Sequence, residues 1–154
     1  VLKLKFKGDV NVTRKDFIEE LSKINDIVAI CKFGSHGTKY WIEYRSDIDL
    51  AIIVAPGISF MDTLYMEDKI SALCKKYYDY DNIHLTFILF SDFSSKYARI
   101  SVDSEEQYIF DENRWFDFQH YVLKFARQNR QFERMLKIDE QYSYFGGIVD
   151  DTLL

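Results

Sequence analysis

Apolar residues recur along the chain with a period that changes several times, and each change marks an element. Behind Thr13, a residue type that caps helices, Phe17, Leu21 and Ile24 fall on one face of a helix over 14–25. Ile27–Phe33 is then a short apolar run of strand character, and after a polar connection the run Ile48–Val54 reads as a strand covered on both faces. Helical period returns over 59–78 through Phe60, Leu64, Ile70, Leu73 and Tyr77, and Ile83–Phe90 is a third strand, rich in β-branched and aromatic residues. A short helix over 93–101, an edge strand Gln107–Phe110 and a long helix over 115–137 carrying Phe118, Val122, Phe125, Phe132 and Leu136 complete the pattern. Strands interleaved with helices imply a layered α/β (α+β) architecture, a mixed central sheet flanked by helices. The segment 139–154 shows no helical or strand period.

Composition narrows this picture. A chain of 154 residues, 47% hydrophobic and 17% aromatic, has enough apolar material for one sizeable core, so a single domain is expected over 1–154, with its core at about 14–111. The formal charge of −5 argues against general nucleic-acid binding, which rests on Lys and Arg neutralising phosphates. No apolar run approaches the roughly 20 residues that span a bilayer, and no signal-like segment opens the chain, so no membrane partner and a cytoplasmic location are expected. Cys31 and Cys74 sit in apolar segments at a spacing that fits no zinc motif and read as core residues.

The candidate chemistry lies between the first two strands. Side chains alternate along a strand, so Asp47 and Asp49 point to one side while Ile48 and Leu50 point to the other. Two like charges so close raise each other's pKa unless a cation sits between them, and Mg2+ binds through one or two carboxylates together with substrate phosphates. Gly34 allows close backbone approach, and the Ser35 hydroxyl with neighbouring amides can hold phosphate oxygens. Either feature alone is an ordinary turn or a solvated Asp-x-Asp.

Together, however, the stretch Gly34-Ser35-His36-Gly37-Thr38-Lys39-Tyr40-Trp41-Ile42-Glu43-Tyr44-Arg45-Ser46-Asp47-Ile48-Asp49-Leu50, with eleven residues between Ser35 and Asp47, resembles the signature of the minimal nucleotidyltransferases of the DNA polymerase β superfamily. The resemblance runs from about residue 14 to 111. It implies the polymerase β-like fold and transfer of a nucleoside monophosphate from ATP or another nucleoside triphosphate to an acceptor, with Asp47 and Asp49 as catalytic metal ligands for Mg2+ and Gly34 and Ser35 as nucleotide-binding residues. Small members of this superfamily resemble antitoxins that adenylylate a HEPN-type toxin, which implies a protein partner and acceptor. Aminoglycoside-modifying relatives share the opening motif but add a helical domain for which this chain leaves little room.

The sequence departs from that signature at one place. Superfamily members usually carry a third carboxylate on the third strand, whereas Ile83-His84-Leu85-Thr86-Phe87-Ile88-Leu89, anchored on Ser91-Asp92-Phe93-Ser94, puts Thr86 there and His84 on the same face. Three outcomes stay open: His84 acts as the catalytic base, since histidine titrates near neutrality; Asp79 or Asp81 folds back to the metal; or catalysis is weakened or lost, leaving a partner-binding antitoxin module. His36 and Lys39 are loop residues able to reach a phosphate, and Tyr40, Trp41 and Tyr44 are candidates for stacking on a base. Lys75, Lys76, Arg127, Arg130 and Arg134 read as solvated helix faces, and the aromatic residues of the long helix as core or partner contacts. A polymerase fragment is disfavoured by the acidic charge.

Overall fold

The computed structural model describes residues 13–144, with side chains up to 137. Its elements run α1 (Arg14–Ser22), β1 (Ile27–Phe33), β2 (Ile48–Val54), α2 (Phe60–Tyr78), β3 (Ile83–Ile88), α3 (Lys96–Asp103), β4 (Glu106–Ile109) and α4 (Glu112–Tyr144). The four strands form one mixed sheet in the order β3-β2-β1-β4, with β1 antiparallel to both β2 and β4, and β2 parallel to β3. The α/β architecture expected from the interleaved pattern is the one observed.

Local chemistry explains most of the boundaries. The Thr13 hydroxyl accepts from the Asp16 N–H at 3.1 Å and starts α1, and Asp26 turns the chain into β1 with φ 75°. At α2, Ser59 and Asp62 form a reciprocal capping box, which satisfies two helix-end donors. Asp79 ends α2 in the left-handed region, φ 51°. α3 begins later than the apolar pattern suggests because Ser95 caps it, its hydroxyl accepting from the Ala98 N–H.

The two faces of the sheet are packed differently. On one, Ile30, Leu50, Ile52 and Val54 meet Phe17 and Leu21 of α1 and Ile70 and Cys74 of α2, and Phe17 stacks on Tyr77 at 4.1 Å. On the other, the small residues Ala29, Cys31, Ala51 and Ala55 let α4 approach closely through Trp115, Phe118 and Val122. β2 is buried along its length except at Asp49, as its continuous apolar run predicts. Cys31 and Cys74 are buried free thiols, each pushed up to about 12 by burial.

Two helices differ from the pattern. The buried face of α2 is Thr63, Ile70 and Cys74, whereas Phe60 and Leu64, expected inward, are exposed. α4 begins before residue 115 and continues past 137 to Tyr144, into the stretch that showed no period; 145–154 lie outside the described residues. Among the described side chains, its last ring contact with the body of the fold is Phe125 against Phe93, and residues 127–137 are exposed all round. Phe132 and Leu136 are thus not core. No helix among the described residues is long and apolar enough to cross a membrane.

Candidate functional site

β1 delivers the chain to Gly34 at one end of the sheet. Gly34 has φ +81°, and a Cβ there would overlap the carboxylate of Asp49, so this position needs glycine both for its backbone and for its closeness to the acid. The loop that follows is folded on itself: the N–H and hydroxyl of Thr38 donate to the Ser35 carbonyl at 2.9 and 2.6 Å, and the Ser46 hydroxyl accepts from the Ile42 N–H at 3.0 Å. It returns the chain at Asp47, exposed and one residue ahead of β2.

Asp49, half-buried, is flanked by Phe33 on β1 and by His84 on β3. His84 Nδ1 stands 3.4 Å from Asp49 Oδ1. Burial holds the Asp49 pKa above its ordinary value; His84 draws it down and the charge of Asp47 pushes it up again.

Among the described residues, no group of three or more His, Cys, Asp or Glu side chains converges as a metal site. Asp79 and Asp81 therefore do not fold back to join the two aspartates: Asp79 caps α2 and lines a separate aromatic hollow. Thr86 pairs with Ala51, two residues deeper in the sheet than the Asp49–His84 pair, so no carboxylate replaces the missing third one. The donor set nevertheless fits a hard divalent cation: two oxygen ligands, one of them unfavourably ionised as it stands, beside a backbone loop with room for phosphate, the remaining ligands being water and substrate.

The remaining sequence candidates scatter. Lys39 sits over the Tyr40 ring at 5.2 Å, and Tyr40 and Tyr44 point to solvent, while Trp41 is half-buried. Lys75, Lys76, Arg127, Arg130 and Arg134 are exposed on their helices, as expected. His36 accepts at Nδ1 from the Lys32 ammonium at 2.8 Å.

That lysine belongs to a cluster the pattern did not reveal. Lys32 pairs with Glu106 at 3.2 Å, and Glu106 also accepts from the hydroxyls of Tyr78 at 2.5 Å and Tyr108 at 3.0 Å. Burial alone pushes the Glu106 carboxyl up, but these donors bring it below its usual range, and the two tyrosines are raised. Lys32 and Glu106 line a cleft of about 650 Å³ together with Gly34, Gly37 and Thr38. The available signal was Lys32 itself, the one charge in an otherwise apolar strand.

Comparison with known proteins gives the family and the fold. The family model for the nucleotidyltransferase domain matches residues 14–134. A chain from a doubly substituted mutant of the MntA–HpeT toxin–antitoxin complex is similar with a TM-score of 0.51 at 18% identity, over 84% of this chain and 98% of that one. A chain from a toxin–antitoxin structure with AMP-PNP is similar with a TM-score of 0.51 at 19% identity, over 83% of this chain and 98% of that one. A search of curated proteins finds no match. At such identities the solved structures speak for the fold, which this chain shares, while the family model covers most of the chain; the protein belongs to the nucleotidyltransferase domain family.

Proposed function

We propose that the chain, as a single cytoplasmic domain, transfers a nucleoside monophosphate from ATP or another nucleoside triphosphate to a protein acceptor, in a Mg2+-dependent reaction centred on Asp47 and Asp49. The observation that carries this reading is the fit of Gly34 against Asp49: the loop that would hold phosphates touches the carboxylate that would hold their counter-ion. Gly34 and Ser35 bind the triphosphate, and Asp47 and Asp49 would hold the cation. When bound there, Mg2+ supplies neutralisation of charge on the phosphate oxygens. An acceptor hydroxyl attacks the α-phosphorus, the bond to the pyrophosphate breaks, and the hydroxyl proton passes to His84, whose ring is exposed and already beside Asp49.

The acceptor reading rests on α4 and on likeness. Phe132, Met135 and Leu136 are exposed on a helix that leaves the fold, and exposed apolar patches mark interaction sites. The similar solved structures are described as toxin–antitoxin assemblies, one of them with AMP-PNP. A HEPN-type toxin is accordingly the proposed partner. The same exposed helix, together with Thr86 in place of a third carboxylate, favours one alternative: a fold that silences its partner by covering it.

Calorimetric titration with ATP and GTP, with and without Mg2+, separates the two. Mg2+-dependent binding that is lost in the Asp47→Asn/Asp49→Asn double variant, followed by transfer of labelled nucleotide to a partner, supports the enzyme. A folded wild-type chain that binds no nucleotide leaves only the covering role.

A further inference from the structure

Asp47 stands one residue ahead of β2, so the ladder that fixes Asp49 does not include it, and its side chain is exposed. Its two neighbours in the chain are held instead. The Ser46 carbonyl, immediately before it, accepts from the Tyr80 hydroxyl at 2.6 Å, and the Ile48 N–H, immediately after it, donates to the Asn82 carbonyl at 2.8 Å. Both partners come from the short connection between α2 and β3.

That connection presents the tyrosine to the strand. Asp79, in the left-handed region, turns the chain out of α2, and the Tyr80 N–H donates back to the Lys75 carbonyl at 3.2 Å. The Tyr80 ring packs half-buried against the core on the α1 and α2 side, where Trp41 of the 34–46 loop meets it at 5.0 Å. Ser46 is knotted into the end of the same loop: its N–H donates to the Ile42 carbonyl, and its hydroxyl accepts from the Ile42 N–H. Ile42–Arg45 are exposed, so those two bonds stay within a solvated turn, and the Tyr80 hydroxyl ties that turn to the body.

Ile48 and Leu50 belong to the same core as Tyr80, so Asp49 faces the other side of the sheet. Tyr80 therefore acts from behind, on the backbone, and not as a ligand. We propose that Tyr80 is a positioning residue: its hydroxyl on the Ser46 carbonyl fixes where Asp47 meets the cation it would share with Asp49. This rests on the reading of Asp47 and Asp49 as cation ligands. Groups that orient a metal's ligands change its affinity by roughly 10- to 100-fold, and Tyr80, working one peptide away from the carboxylate, belongs at the lower end.

Calorimetry on the full chain tests this by following ATP affinity as Mg2+ is raised, in wild type, Tyr80→Phe and Tyr77→Phe, with urea unfolding of each. Tyr80→Phe keeps the ring against Trp41 and loses the hydroxyl. The Mg2+ concentration at half effect is expected to rise roughly ten-fold, while ATP affinity at saturating Mg2+ stays within about two-fold of wild type. Tyr77→Phe removes a hydroxyl from the same aromatic group, one that meets Tyr108 at 3.3 Å rather than the strand, and should leave the Mg2+ midpoint where it is. An unchanged Mg2+ midpoint in Tyr80→Phe, whether or not its urea midpoint falls, overturns the assignment and leaves the proposed function standing. So does an equal shift in Tyr77→Phe, or a loss of ATP affinity in Tyr80→Phe that is the same at every Mg2+ concentration. A wild type whose ATP binding does not respond to Mg2+ overturns the reading of the two aspartates, and this inference with it.

Discussion

Glu106 and Asp49 are both half-buried carboxylates at the same end of one sheet, on the strands that flank β1 on either side. Glu106 receives the Lys32 ammonium and two tyrosine hydroxyls, and its pKa ends below the ordinary value despite burial. Asp49 has a single histidine at 3.4 Å, a second aspartate as neighbour and a glycine that leaves space against it, and its pKa ends above. A buried charge that is fully satisfied belongs to the scaffold; one left short of donors costs stability, and proteins keep such costs where a ligand removes them. The difference singles out Asp49 as the carboxylate of the two that is left short of donors.

The comparison breaks most visibly at Asp49 itself. Asp49→Asn is expected to reduce nucleotidyl transfer by at least about 10³-fold, the scale on which charge-stabilising groups act in transfer reactions. It should at the same time raise stability, by less than about 1 kcal/mol, as removal of active-site strain commonly does. Labelled-nucleotide transfer and urea unfolding on the same preparation read both; a variant that is inactive and less stable would show that Asp49 is structural. Gly34→Ala comes next. A side chain at φ +81° that also overlaps Asp49 must displace either the loop or the acid, so transfer is expected to drop by roughly 10²-fold and stability by about 2 kcal/mol.

Glu106 should answer in the opposite sense. Glu106→Gln leaves Lys32 without its counter-charge in a partly buried setting and should cost about 2 kcal/mol in urea unfolding, while transfer per folded molecule changes little. Lys32→Met/Glu106→Leu, which removes both charges, should recover part of that loss. A transfer defect in Glu106→Gln at temperatures where the variant is folded would mean that the two carboxylates are not divided as scaffold and site.

What the sequence disclosed follows the same division. The strands and the first helix were legible because β1 and β2 are buried runs and Thr13 is a local cap, so short-range chemistry decides them. The pairing of Gly34 with Asp49 was legible because a compound motif fixes both ends of one loop. The Lys32–Glu106–Tyr78–Tyr108 cluster was not, since it joins β1, α2 and β4, and the Tyr78–Glu106 contact alone spans 28 positions. Nor could periodicity tell that Phe132 and Leu136 lie beyond the point where α4 leaves the sheet: an apolar stripe looks the same against a core and against solvent. Trp41 differed from Tyr40 and Tyr44 through contacts that only the folded chain makes, with His36 and with Tyr80 just beyond α2.

The smallest effect is also the one that sets the two acids against each other in a single experiment. The folded pKa of Asp49 is raised, so its protonated form is favoured by folding. Its contribution to stability is complete below the ordinary carboxylate range and is lost as pH rises through its folded value. The folded pKa of Glu106 is lowered; its contribution is present above the ordinary glutamate value and is lost as pH falls through its folded value. Urea midpoints measured for wild type, Asp49→Asn and Glu106→Gln across about pH 3–7, without added divalent metal, should therefore diverge from wild type in opposite directions as pH rises. Asp49→Asn gains on wild type by less than about 1 kcal/mol. Glu106→Gln falls behind it over the same window, because only then is the native Glu106 ionised and paired with Lys32. Parallel curves would mean that the two carboxylates share one electrostatic environment, and the assignment of Asp49 as the unsatisfied acid of the pair would fall.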